Sequence, residues 1–81
     1  MVNVRVEAAK LLATFPAPDA ATVLAQALLN DADVKVRTAC AEALGVRMDP
    51  ASVEWLERSK SLDESDQVQA ASAAALRQYQ H

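Results

Sequence analysis

Glycine is almost missing from this chain of 81 residues, with Gly45 the only one. That absence excludes a Gly-rich loop cradling phosphates, and with few β-branched runs it argues against strands. Cysteine is as scarce. Cys40 stands alone, so neither an internal disulfide nor a cysteine-based zinc site, each of which needs pairs, can be built. Aromatic residues number three, Phe15, Trp55 and Tyr79, and the single histidine, His81, is the last residue, where terminal disorder is expected rather than ligation. Basic residues are outnumbered eight to eleven by acidic ones, giving a net charge of −3. A nucleic-acid partner is disfavoured on that balance, because phosphate binding needs a basic stripe. No apolar run approaches the roughly 18 residues that span a bilayer, and no basic-then-apolar leader is present. A soluble chain without a membrane partner is expected; the sequence leaves the compartment open, with the cytoplasm favoured.

What the chain has in excess is alanine, eighteen residues of it, within a hydrophobic share of 52%. Alanine has the highest helix propensity and lets neighbouring helices approach closely. The sequence also matches itself at a spacing of 32. Val4-Arg5 followed by Ala8 through Ala13 aligns with Val36-Arg37 followed by Cys40 through Gly45, and again with Val68-Gln69 followed by Ser72 through Arg77. Pro18 and Pro50 keep the same register, as do Asp31 and Asp63. A period of this size marks a supersecondary unit that cannot bury its apolar face alone, so the units must stack. One domain of this length has a marginal core by itself, and stacking supplies the rest.

Start and stop signals predict five helices. The first covers about 3 to 14 and ends at Phe15-Pro16-Ala17-Pro18. The second runs from about Asp19 to Asn30. Asp33 caps a third that stops near the glycine, Gly45, or Val46. Met48-Asp49-Pro50 opens a fourth, with Pro50 at or near its first turn, which ends at Leu62. Ser65, 32 residues after Asp33, caps a fifth that reaches about Gln80. Apolar stripes at helical spacing support these assignments: Val23, Leu24, Ala27 and Leu28 in the second helix, Val36, Cys40, Ala43 and Leu44 in the third, Val53, Leu56 and Leu62 in the fourth. The short loops make consecutive helices antiparallel neighbours.

The pattern Asp31-x-Asp33-x-x-Val36-Arg37-x-x-x-Ala41-x-Ala43-Leu44-Gly45, with Asp49-Pro50 just beyond, resembles the HEAT-repeat family, most closely its short HEAT-like form named after phycobilisome lyases. The third copy departs from it, with Gln69 for arginine and Arg77 for glycine, as suits a capping helix. The resemblance implies an all-α superhelix of about five helices in two and a half repeats: a half repeat at 1–14, then repeats at 15–46 and 47–81. It further implies one layer of helices starting near 3, 33 and 65 and another of those starting near 19 and 50, with the first layer concave. Because the pattern opens in mid-repeat, the chain reads as a fragment or the end of a longer array. In the family the arginine of the Val-Arg pair is directed at the acidic turn, so Arg5 and Arg37 with Asp31 and Asp33 are expected to form a structural ladder between repeats.

Other polar residues carry little chemistry. Cys40 lies on an apolar stripe without a base beside it, and Trp55 aligns with Val23, so both read as packing residues. The carboxylate pairs Glu54 with Glu57 and Asp63 with Asp66 fall on solvated faces, with no pocket to perturb them. No catalytic set, metal cluster or cofactor site is expected, and the chain reads as a non-enzyme. The face opposite the apolar stripes should present Asn3, Val6 and Lys10, then Lys35, Thr38 and Glu42, then Gln67, Ala70, Ala74 and Arg77. Of these Lys10, Lys35, Thr38, Glu42 and Arg77 are the candidate protein-binding residues. The expected function is a non-catalytic interaction or scaffold module for a protein or peptide partner. Two alternatives are an accessory domain of a lyase-like or chaperone-like enzyme and a structural spacer. The spacer would leave an apolar edge on the first helix and could self-associate through it.

Overall fold

The two acidic turns set the frame. Asp31 folds back to accept a hydrogen bond from the Asp33 amide at 2.9 Å, and Asp63 does the same for Ser65 at 2.9 Å. Each turn then hands the chain to a capped helix. The Asp33 carboxylate accepts from the Lys35 amide at 2.7 Å, and the Ser65 hydroxyl from the Val68 amide at 3.4 Å. In a computed structural model, which describes residues 1–80, the chain forms five helices: α1 (Val2–Leu12), α2 (Asp19–Asn30), α3 (Val34–Arg47), α4 (Ser52–Leu62) and α5 (Asp66–Arg77). No strand occurs among the described residues. His81 lies outside them.

Helices α1, α3 and α5 lie side by side in one layer, and α2 and α4 cover them as a second. The body measures 36 × 29 × 15 Å, two helices thick. Helix α3 is central, in contact with α1 and α5 in its own layer and with α2 above. Leu24, Leu28, Val36, Leu44, Leu56 and Val68 interlock between the layers and are the largest fully buried aliphatics.

Several boundaries and faces differ from expectation. Helix α1 ends at Leu12, two residues early, where the amides of Thr14 and Phe15 turn back onto Leu11 and Leu12. Helix α5 ends at Arg77, with Gln78 and Tyr79 in a closing turn. Pro50 sits in the turn before α4, whose first residue is Ser52. Gly45 does not end α3. The helix continues to Arg47 and is closed by Met48 in the left-handed region at φ 61°. Gly45 is instead a close-approach point, because a Cβ there would stand 2.9 Å from the Ala75 Cβ and 3.0 Å from its Cα. On α2, Val23 is half exposed rather than buried. On α4, Leu62 faces solvent while Ser52 and Ser59 are buried. Leu62 occupies the register position of Asn30, which is solvent-facing in the preceding repeat as well.

Candidate functional site

The repeats are tied by arginines that reach forward along the stack. Arg5 holds the Asp31 carboxylate with Nε at 2.8 Å and Nη2 at 3.1 Å, and Arg37 holds Asp63 with the same two atoms at 2.9 and 3.2 Å. Each pair spans 26 residues. Arg37 therefore does not pair with the carboxylates of Asp31 or Asp33. The first is occupied by Arg5, and the second caps its own helix. From its own turn Arg37 takes only the Asp31 carbonyl, to which Nη1 donates at 2.8 Å. In the last repeat Gln69 keeps this second role alone, donating to the Asp63 carbonyl at 2.6 Å. The Arg5 guanidinium holds the Asp31 carboxyl below its ordinary pKa, helped by the Asp33 amide.

A second set of ties sits at the other end of the inner helices. Arg47, almost wholly buried, donates through Nη1 to the carbonyls of Leu12, at 2.8 Å, and Phe15, and through Nη2 to Ala17 at 3.0 Å. Its Nε meets Asp49 at 2.6 Å. One repeat later the Tyr79 hydroxyl donates to the Leu44 carbonyl at 2.7 Å. Both bonds join residues 35 apart, and in each a side chain satisfies a carbonyl at the end of the preceding inner helix. Sequence reasoning missed this pair, although positions 15, 47 and 79 share the 32-residue register. Burial pushes the Tyr79 phenol up from its ordinary pKa.

On the exposed side of the inner layer, α3 and α5 flank a shallow groove of about 570 Å³. Gly45, Ala71, Ala74 and Ala75 form its small-residue floor, and Glu42, Val46, Met48 and Gln78 its rim. Of the candidate binding residues, only Glu42 lines it. Lys35 and Lys10 are exposed on the same layer, Lys10 beside Glu7 at 3.4 Å in a solvated pair. Thr38 and Val6 were expected on the solvated face and are not there. Val6 packs against the core, and the Thr38 hydroxyl is buried, since the register position they share lies where adjacent inner helices meet. Arg77 also leaves the groove, lining a cleft with Val53, Glu57 and Tyr79 at the far end of the stack. Trp55 is half buried against the core.

Cys40 is buried and its thiol is pushed up to about 11 by desolvation, which leaves it protonated and unreactive at neutral pH. Among the described residues no group of three or more His, Cys, Asp or Glu is placed to hold a metal ion. No helix is long and apolar enough to cross a membrane.

Helical pairs in two layers, stacked at a 32-residue period and tied from repeat to repeat by arginine and tyrosine side chains, define an α-solenoid. The chain belongs to the HEAT repeats, a family that matches residues 2–77. Such repeats generally serve as protein-interaction or scaffold modules. No curated protein and no solved structure matches the chain.

Proposed function

We propose that this chain is a non-catalytic interaction module that receives a segment of a protein partner in the groove between α3 and α5. The observation that carries this reading is the groove itself. Its accessible floor is made of the methyl groups of Ala71 and Ala74, so a partner's side chains can seat between α3 and α5. Its rim sets the exposed apolar Val46 and Met48 beside the polar Glu42 and Gln78. An apolar contact with a polar border is the usual composition of a protein-binding surface. The test is capture of partners from the source lysate by the native chain and by a Glu42→Arg, Val46→Asp variant. Both positions are exposed, so the variant should melt like the native chain. A partner retained by the native chain and lost by the variant supports the proposal. Equal retention by both would place binding elsewhere.

A spacer role is the second reading, supported by the exposure of Val4 and Leu11 on α1. It predicts that the groove variant changes nothing while apolar contacts at α1 control assembly.

A further inference from the structure

The groove between α3 and α5 departs from the repeat pattern in ways that describe its occupant. Its rim residues Glu42, Val46 and Met48 have Lys10, Thr14 and Pro16 as counterparts one repeat earlier and Ala74, Gln78 and Gln80 one repeat later. Stacking therefore requires neither an anion nor an apolar pair at these places. Val46 and Met48 are nonetheless 61% and 40% exposed. Met48 also closes α3 at φ 61°, a conformation that glycine adopts without strain and a longer side chain does not. The chain accepts that strain at the rim of the groove, where it places a flexible thioether able to mould itself to a bound side chain.

The charge of the groove has one sign. Among the described residues Glu42 is the only ionisable group that lines it, and no cation pairs with it. Arg47 is turned onto the carbonyls between α1 and α2 and onto Asp49, and Arg77 lies in the end cleft. Met48 and Gln78, which close α3 and α5, both line the groove, so it runs out at the negative ends of two helices. The Leu44 carbonyl takes the Met48 amide, and the carbonyls of Gly45 to Arg47 lie beyond that last helical bond. An acidic segment would meet like charge here, and a basic one is attracted.

We infer, on the reading that this groove is the interaction site, that it takes a partner segment carrying a bulky apolar side chain beside a lysine or arginine. The apolar side chain seats over Ala71 and Ala74 between Val46 and Met48. The cation meets Glu42, which stands one helical turn, about 6 Å, back along α3.

The probe is a displayed library of random linear peptides, depleted on the Val46→Asp chain and then selected on the native full chain. The expected consensus sets Leu, Met, Phe or Trp within about four positions of Lys or Arg, the span that covers one helical turn. A soluble peptide of that consensus should bind one-to-one, with amide shifts at Glu42, Val46, Ala71 and Ala74. Glu42→Gln should weaken it about fivefold at low salt, and the difference should fade as salt is raised. Both Glu42 and Val46 are exposed, so their variants should melt like the native chain. Met48→Gly separates recognition from a structural role: the melting temperature should rise as the left-handed strain is relieved, while affinity falls. An acidic or purely apolar consensus overturns the inference and leaves the groove as the interaction site. So does a peptide that binds the Glu42→Gln chain as tightly as the native one yet loses the Val46→Asp chain. If no Val46-dependent sequence is enriched, the inference and the groove reading fall together.

Discussion

Arg47 is the residue whose removal should be felt most for its size. Its guanidinium is buried and fixes three carbonyls of the segment between α1 and α2 together with Asp49. Truncation removes all of these contacts at once: the Leu12 and Ala17 carbonyls keep the Phe15 and Ala20 amides, but the Phe15 carbonyl and Asp49 lose the guanidinium, and Arg47→Ala should cost about 2 kcal/mol, read as a lower urea midpoint. Lysine at this position should recover only part of the loss, because it lacks the planar fork. Asp31 governs a pH dependence. Its folded-state pKa lies below the ordinary carboxylate value, so the unfolded chain binds that proton more readily and the stabilisation is present at neutral pH. As pH falls below about 4 and passes through the depressed folded value, the contribution disappears. The difference in urea midpoint between the native chain and Asp31→Asn should therefore be largest above about pH 5 and should shrink as pH falls below about 4. The arginine ladder was half legible in the sequence. Charge and the family pattern pointed to the acidic turn, but its own turn and the next one satisfy the same charge rule. Only the direction in which Arg37 leaves α3 selects Asp63. Arg47 and Tyr79 were illegible because their shared register position holds Phe15 in the first copy, and three chemically unlike residues produce no self-match.

Among the elements, α3 and α5 meet so closely that one hydrogen decides their distance. Replacing Gly45 by alanine improves helix propensity by about 1 kcal/mol, yet the new Cβ would stand 3.0 Å from the Ala75 backbone. Backbone cannot yield as a flexible side chain can, so α5 must shift, and overpacking of this kind costs about 1–3 kcal/mol. Gly45→Ala should lower the melting temperature. Adding Ala75→Gly should recover more than the two single changes predict by addition, and plain additivity would show that the contact does not limit the approach. The helices themselves were readable from caps and periodicity. Asp33 and Ser65 do cap α3 and α5, and the stripe from Val36 to Leu44 is buried throughout. The glycine misled because a lone glycine near a helix end has two uses, a left-handed stop and a close contact, and sequence does not distinguish them. Here Met48 takes the left-handed conformation and releases Gly45 for the contact.

For the whole molecule, stability should be graded along the stack. Helix α3 is covered by α1, α2 and α5, whereas α1 is covered on one flank and leaves Val4 and Leu11 in water. A repeat stack behaves as coupled units whose ends open first. The 32-residue period made this architecture plain in the sequence, since stacking is the only way such units bury their faces. The binding surface was far less plain, because exposure depends on how inner helices abut: Thr38 and Val6 were lost to their contacts and Arg77 to the end cleft. Native-state hydrogen exchange on the full chain tests the central claim, a three-helix inner layer keyed on α3 with an open edge at α1. The account predicts that amides of α3 around Ala41 and Leu44 exchange only through global unfolding, while those of α1 exchange through a separate opening of lower free energy. Equal protection of α1 and α3, or greatest protection in α1, would contradict it.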